Sequence, residues 1–79
     1  MRTEDQRKVV CGGDPENYLK AYFKGLYFDL DDGEEIKIIA SKEKFPFKKE
    51  KFEELAKYSK LELFDFNDNG SEIDIFLKK

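Results

Sequence analysis

The stretch LELFDFNDNGSEIDIFL, residues 61–77, decides the fold because two β-prone segments in it flank a strong turn signal. Asn69-Gly70 is the favoured centre of a two-residue type I′ turn between antiparallel strands. With that centre, Asp68 faces Ser71 and the pairing register is fixed. The apolar side chains then share one face: Phe64, Phe66, Ile73, Ile75 and Leu77. The pattern therefore predicts a β-hairpin with one face in the core.

The segment before this hairpin has the composition and spacing of an amphipathic helix. It is rich in Glu, Lys, Leu and Ala, which favour helix formation, and Pro46 lies near its start. The residues at helical spacing are Phe52, Leu55, Ala56 and Ser59. We predict a helix at about residues 47–59, with this stripe packed on one face of a sheet.

A second acidic turn lies upstream and predicts a second hairpin. The sequence DDGE, residues 31–34, separates one β-prone run at residues 26–30 from another at residues 35–40. Glycine within such a turn is typical of a short connection between strands. Two hairpins with acidic tips therefore form most of the expected sheet.

Residues 15–24 fit two interpretations. As a helix, the segment has Asp14 as its N-cap, Pro15 as its first residue and Gly25 just after its end. As a strand, it places alternate apolar residues on one face and needs a bulge at Gly25. We favour the strand, which gives the order β-β-β-α-β-β with residues 7–11 as an edge strand.

Together these patterns predict an α+β fold. The expected sheet is small and antiparallel, with four to five strands in two hairpins and one helix packed on one face, while residues 15–24 are a strand or a first helix. A chain of 79 residues has room for one hydrophobic core. Residues 1–79 are therefore expected to form a single domain, in which residues 1–6 are a flexible tail.

The residue types that are missing argue against catalysis. The chain has no His and one Cys, Cys11. Without His there is no ordinary general base near neutral pH, and one Cys cannot hold zinc or an iron–sulfur cluster. The glycines after Cys11 lack the spacing of a phosphate-binding loop. We expect no enzyme activity and no cofactor, and we interpret Cys11 as a small apolar residue in a reducing compartment.

The distribution of apolar residues predicts a cytoplasmic protein. The longest unbroken apolar runs contain three residues, far short of the roughly 20 that span a bilayer. No apolar segment typical of a secretory signal follows Met1. We therefore expect a cytoplasmic location and no membrane partner.

One acidic stretch is similar to the start of a calcium-binding loop. Residues 65–70 match the D-x-[DN]-x-[DN]-G opening of an EF-hand loop. The match ends there, because the twelfth position is Phe76 where an EF-hand has a bidentate Glu. The weak calcium candidate consists of Asp65, Asn67, Asn69 and Glu72. Turn geometry already explains Asn69-Gly70, so we expect no bound metal.

A block of lysines interleaved with phenylalanines is the alternative functional signal. Its residues are Lys42, Lys44, Phe45, Phe47, Lys48, Lys49 and Lys51. Such interleaving is typical of surfaces that bind single-stranded nucleic acid. The chain as a whole carries a net charge of −3, however, and acidic segments flank the block, so a phosphate backbone is repelled. We prefer to interpret the block as a loop that its aromatic residues anchor to the sheet.

A surplus of aromatic and acidic residues favours binding to another protein. In the strand interpretation, Tyr18 and Tyr22 lie on an exposed face of the sheet, and tyrosine is typical of protein interfaces. The expected partner-binding residues are Tyr18, Tyr22, Tyr27, Asp29, Asp31, Asp32, Glu34, Glu35 and Phe76. They combine aromatic anchors with negative charge.

That combination predicts the kind of partner. Acidic side chains around aromatic anchors complement a basic protein surface, such as that of a nucleic-acid-handling protein. We expect a small non-enzymatic module that binds a protein stoichiometrically, as an inhibitor or modulator. An edge strand at either end of the sheet also permits a homo-oligomer.

Overall fold

The computed structural model describes residues 1–8 and 13–79 of the chain. In chain order its elements are β1 (Arg2–Asp5), α1 (Pro15–Asp29), β2 (Glu35–Ser41), α2 (Lys49–Tyr58), β3 (Glu62–Asp68) and β4 (Glu72–Lys78). The predicted α+β class is confirmed. Neither helix in the described part of the chain is long and apolar enough to cross a membrane. Residues 9–12, which include Cys11 and most of the edge strand predicted at residues 7–11, lie outside the described residues. Residues 7 and 8, where that strand is expected to begin, form a turn.

The four strands form one sheet in the order β1-β2-β4-β3. β1 runs parallel to β2, whereas β4 runs antiparallel to both of its neighbours, β2 and β3. The sheet is therefore mixed, and the prediction of an antiparallel sheet with two hairpins is wrong. The reason is α1, which connects β1 to β2. A crossover helix returns the chain to the end of the sheet where it started, so the two strands that it joins run parallel.

Residues 15–24 belong to α1, so the favoured strand interpretation is wrong and the helical one is right. The side chain of Asp14 accepts a hydrogen bond from the N–H of Glu16 at 2.9 Å and caps the helix. α1 continues beyond Gly25 through residues 26–29, which the sequence predicts as a hairpin strand. Its buried stripe consists of Leu19, Phe23 and Leu26, and continues to Leu30. Because this stripe keeps helical spacing across Gly25, burial outweighs the low helix propensity of glycine.

The N-terminal residues form β1 instead of the predicted flexible tail. Arg2 is paired with Ile36 of β2 in the sheet register, and its guanidinium forms an ion pair of 2.5 Å with Asp29 at the end of α1. The hydroxyl of Tyr22 donates a hydrogen bond to the carboxylate of Glu4. Backbone pairing with β2 and polar contacts with α1 therefore hold a strand whose composition alone favours a tail.

β3 and β4 form the hairpin predicted at the C-terminus, but its turn lies one residue further along the chain. The N–H of Asn69 donates to the carbonyl of Glu72 at 2.9 Å, so Gly70 and Ser71 are the central residues. Gly70 has a φ of +93° and Ser71 has no positive φ, which fits a type II′ turn and not the predicted type I′. The register moves by two residues and keeps the same side of β4 in the core.

A β-bulge between Leu63 and Asp65 changes the face of one aromatic residue. The bulge leaves Phe64 without a partner in the register, and its ring contacts that of Phe76 with the centroids 6.0 Å apart. Phe66 stays on the side of the helices, where its ring lies 5.4 Å from that of a buried phenylalanine of α2. The prediction that Phe66 faces the core is confirmed, and the same prediction for Phe64 is wrong.

Both helices pack on one face of the sheet and form a single buried cluster with it. α2 confirms the helix predicted at about residues 47–59, and all four residues of its predicted stripe are buried. The sheet contributes Ile36, Ile38 and Ala40 of β2 and Ile73, Ile75 and Leu77 of β4. Burial of a large aliphatic side chain contributes about 1.5–3 kcal/mol, so this inner face holds the layers together. No element of the described residues covers the opposite face.

Candidate functional site

The uncovered face of the sheet is a continuous surface built from all four strands. Burial alternates along β2 and β4, so the residues between the buried ones point away from the helices. The register places the outward residues of the four strands side by side. They are Thr3, Asp5, Glu35, Lys37, Ile39, Ser41, Glu62, Asp65, Asn67, Glu72, Asp74, Phe76 and Lys78, together with the bulged Phe64. We refer to this set as the outer face.

An apolar centre lies within the outer face. Phe64 and Phe76 contact each other, and Phe64 is 41% exposed. The ammonium of Lys37 lies 5.8 Å from the ring centroid of Phe76, in cation–π geometry. Ile39 follows Lys37 on the same side of β2 and is half-buried. Two aromatic rings and an aliphatic side chain therefore form an apolar area that water reaches.

Carboxylates surround this apolar centre. The outer face carries six of them: Asp5, Glu35, Glu62, Asp65, Glu72 and Asp74. Its lysines are Lys37 and Lys78. Like charges at short range repel one another, and a cationic partner relieves that repulsion. The outer face therefore combines an aromatic centre with a negative potential.

Arg7 neutralises part of this charge at one end of the sheet. Its guanidinium forms ion pairs with Asp5 at 2.6 Å and with Glu72 at 2.9 Å. Hydrogen bonds from Arg7 lower the pKa of Asp5 to about 2, so this carboxylate is ionised at neutral pH. Within the described residues, the outer-face carboxylates that form no ion pair are Glu35, Glu62, Asp65 and Asp74. These four are available to the cations of a partner.

The acidic residues predicted between α1 and β2 lie mostly beside the outer face and not on it. Asp31, Asp32 and Glu34 are in the connecting turn. The side chain of Asp32 is fully exposed, whereas the carboxylate of Glu34 accepts a hydrogen bond from the N–H of Asp31 at 3.0 Å. Asp29 ends α1 and is paired with an arginine of β1. Glu35 is the member of this acidic group that belongs to the outer face.

The predicted tyrosines are not on the outer face, because their segment is helical. Tyr18 and Tyr22 lie between α1 and β1, where their hydroxyls donate to Gln6 at 3.1 Å and to Glu4. Burial, together with the hydrogen bond to Glu4, raises the pKa of Tyr22. Tyr27, also on α1, is half-buried against the core. The placement of Tyr18 and Tyr22 on an exposed sheet face is therefore a wrong prediction, and both residues join β1 to α1.

The block of lysines and phenylalanines does not form an open aromatic surface. Phe45 is 1% exposed within the core, and Phe47 is half-buried against it. Lys42 and Lys51 each form an ion pair of 2.6 Å with an acidic side chain. The other lysines of the block are Lys44, whose ammonium donates to a backbone carbonyl, and the exposed Lys48 and Lys49. Buried rings cannot stack on bases, so the contacts favour an anchored loop.

The residues of the calcium candidate have other contacts. Asp65 and Asn67 lie on the outer face, the amide of Asn69 donates to Asp74 at 3.2 Å, and Glu72 is paired with an arginine. In residues 1–8 and 13–79, no group of three or more His, Cys, Asp or Glu side chains is placed to hold a metal ion. These contacts are those of a hairpin and its turn.

Sequence reasoning identified Phe76 and Glu35 but missed most of the outer face. The signal was present in the period-two alternation of EIKIIAS and EIDIFLK, the sequences of β2 and β4. When one side of such a strand is apolar and buried, the other side points to solvent. That rule identifies Lys37, Ile39 and Asp74. It does not identify the bulged phenylalanine, because alternation is interrupted at the bulge.

Comparison with known proteins does not assign a function to the outer face. No protein-family model matches the chain, and no curated protein sequence matches it. The functional interpretation therefore rests on the contacts, exposure and charge of the chain itself.

Proposed function

We propose that this chain is a non-enzymatic protein-binding module whose outer face binds a basic surface of a partner protein with fixed stoichiometry. The observation that carries the proposal is an uncovered sheet face with the aromatic pair Phe64 and Phe76 surrounded by carboxylates. Protein interfaces have this arrangement, with aromatic side chains in a central area that loses water and charged side chains around it.

The aromatic centre supplies most of the affinity. Apolar area removed from water contributes about 25 cal/mol per Å², so covering about 100 Å² of ring surface contributes about 2.5 kcal/mol. Phe64 and Phe76 present their rings on a rigid sheet and not on a loop. Little conformational entropy is lost when such preorganised side chains are covered.

The carboxylates determine which partners bind. Those without an ion pair in the described residues attract the Lys and Arg side chains of a partner, which increases the association rate and specificity more than the affinity. The attraction weakens with salt, because the charges are exposed. Nucleic-acid-binding proteins have basic surfaces of this kind. We therefore infer that the chain inhibits or modulates a nucleic-acid-handling protein.

The charge state of the acidic residues supports binding over catalysis. The carboxylates with a shifted pKa are Asp5, Glu16 and Asp68, and each shift is downward because Arg or Lys donates hydrogen bonds to it. A carboxylic acid that donates a proton in catalysis needs a raised pKa. The chain also has no His to act as a base. These groups are suited to ion pairing.

A pull-down with matched variants tests the proposal. Tagged wild type, Phe76→Ala, Asp74→Lys and Glu54→Lys are incubated with extract of the source cells, with and without nuclease treatment, and bound proteins are quantified by mass spectrometry. The side chain of Glu54 on α2 is 74% exposed, so Glu54→Lys changes the net charge as Asp74→Lys does but leaves the outer face intact. We expect stoichiometric recovery of a basic protein with wild type and Glu54→Lys, and about tenfold less with the outer-face variants.

Two results would contradict the proposal. Equal recovery with all four proteins would show that the outer face is not the binding surface. Recovery that disappears after nuclease treatment would show that nucleic acid is the ligand. In that case charge reversal at Lys48 and Lys49, the exposed lysines of the block of lysines and phenylalanines, would reduce the salt dependence of binding.

A further inference from the structure

A second exposed aromatic surface lies where the C-terminal ends of the two helices meet. A groove of about 270 Å³ opens there. Its lining residues are Lys24, Tyr27, Phe28, Tyr58, Ser59 and Lys60. Phe28 is 74% exposed and Tyr58 is 72% exposed, more than any other large hydrophobic side chain in the described residues. We refer to this surface as the helix-end groove. An apolar group that covers both rings removes apolar surface from water, and this burial favours its binding.

Lysines border the helix-end groove. Lys20 and Lys24 precede Phe28 on the same side of α1, at successive helical turns. The ammonium of Lys20 lies 5.6 Å from the ring centroid of Tyr58. Within the described residues, neither Lys24 nor Lys60 forms an ion pair. The charge of this groove is therefore opposite to that of the outer face, and it complements an anion.

Lys60 has a backbone conformation that favours glycine. Its φ of +62° lies in the left-handed region, and no other non-glycine residue among those described has a positive φ. The N–H of Lys60 donates to the carbonyl of Lys57 at 3.0 Å, and that of Leu61 to the carbonyl of Ala56 at 2.8 Å. This is the Schellman pattern of helix termination, in which this position is usually glycine. The backbone is therefore strained at a lysine that lines the groove.

We propose that the helix-end groove binds a short acidic peptide segment with one large apolar side chain. The volume suits one side chain, because pockets for drug-sized ligands are about 300–1,000 Å³. Phe28 and Tyr58 contact that side chain, and Lys24 and Lys60 pair with acidic residues next to it.

The helix-end groove and the outer face lie on different layers of the molecule. The groove belongs to the two helices, and the outer face belongs to the side of the sheet that they leave uncovered. One chain can therefore bind a basic protein and an acidic segment at the same time. This inference does not depend on the function proposed for the outer face.

A fluorescence titration with a defined peptide tests the inference. The probe is the acidic peptide acetyl-EEDWLEDE-amide, and the control is the uncharged peptide acetyl-QQNWLQNQ-amide, in which each carboxylate is replaced by its amide. Because the chain contains no Trp, the indole of the peptide reports its own transfer into the groove. We expect saturable binding of the acidic peptide with a blue-shifted emission, and binding of the uncharged peptide that is at least about tenfold weaker.

Single substitutions separate loss of binding from loss of folding. Phe28→Ala and Tyr58→Ala remove exposed rings, so each is expected to weaken binding about fivefold or more while the chain stays folded. Lys60→Gly relieves the backbone strain and removes the ammonium. It is therefore expected to raise the Tm and to weaken peptide binding. Phe64→Ala removes an exposed ring of the outer face and is the matched control, with unchanged binding.

Three results would overturn the inference. They are equal or tighter binding of the uncharged peptide, tighter binding of a fluorescein-labelled oligothymidine than of the acidic peptide, and wild-type binding by both Phe28→Ala and Lys60→Gly. Among these variants, only the control Phe64→Ala changes the outer face. Failure of this inference is therefore distinguishable from failure of the pull-down with the Phe76 and Asp74 variants.

Discussion

Ile75 and Phe76 are neighbours in β4, yet Ile75 is fully buried beneath the helices whereas Phe76 lies in the uncovered centre of the outer face. The same contrast extends along β2, where Ile38 is buried and Lys37 and Ile39 point outward. Alternation of side chains gives each strand two faces with different physical roles. Burial on the inner face stabilises the fold, so the outer face is left with residues whose replacement affects binding more than folding.

The largest expected effect comes from exchanging Ile75 and Phe76 for alanine, one at a time. Ile75→Ala leaves a cavity in the core and is expected to lower the free energy of unfolding by about 2–5 kcal/mol. Phe76→Ala is expected to lower it by about 1 kcal/mol or less, since only cross-strand contacts are lost. Urea denaturation of the two variants measures both values. Equal losses would show that the outer face is covered in solution.

A second pair of variants tests the β-bulge in β3. Phe66→Ala removes a ring that packs on α2 and is expected to cost about 2–3 kcal/mol. Phe64→Ala removes the bulged, partly exposed ring and is expected to cost less than about 1 kcal/mol. The measurement is again the midpoint of urea denaturation. A larger loss for Phe64→Ala would mean that β3 lacks the bulge and that the predicted uniform apolar face is correct.

On the solvent-facing side of the helical layer, we expect a substitution that increases the stability of the chain. A Cβ at Gly25 has no atom within 4 Å, so Gly25→Ala is expected to stabilise α1 by about 0.5–1 kcal/mol through its higher helix propensity. Gly33 is the control, because its φ of +82° is unfavourable for alanine. Thermal denaturation is expected to show a higher Tm for Gly25→Ala and a lower one for Gly33→Ala. A lower Tm for Gly25→Ala would contradict a continuous helix.

The smallest expected effect concerns the ion pairs of Arg7 on the outer face. The pKa of Asp5 is about 2 in the folded chain and close to 3.9 in an unfolded chain. Because the folded pKa is the lower one, its stabilisation is present above about pH 4 and is lost as the pH falls through 2. Wild type is therefore expected to lose more stability than Asp5→Asn between pH 4 and pH 2. High salt is expected to reduce the difference, because the pair is exposed. Parallel profiles of the free energy of unfolding against pH for wild type and Asp5→Asn would contradict this prediction.

The sequence predicted those parts of the fold in which local preference and burial agree. The helix at about residues 47–59 and the C-terminal hairpin both have an apolar stripe with one clear period. The segment around Gly25 has no such agreement, because glycine indicates a break while the stripe on either side indicates a helix. Long-range packing resolves that conflict, and it also turns the polar residues Arg2–Asp5 into a strand.

The candidate site was predicted only in part for the same reason. Phe76 follows from alternation in β4, whereas the strand interpretation of residues 15–24 predicts the wrong surface for the tyrosines of α1. The exposure of Phe64 depends on a one-residue bulge, which no local pattern in β3 indicates. The meeting of Phe28 and Tyr58 in one groove depends on how α1 and α2 pack. Such sites come from tertiary contacts that periodicity alone does not contain.

The most direct test of the central claim is a map of the bound surface at residue level. ¹⁵N-labelled chain is titrated with the basic protein recovered in the pull-down, and amide chemical shifts are followed. The outer-face account predicts the largest changes at Lys37, Asp74 and Phe76, with little change at Phe28 and Tyr58. Changes confined to the helices, with Lys37, Asp74 and Phe76 unaffected, would contradict it.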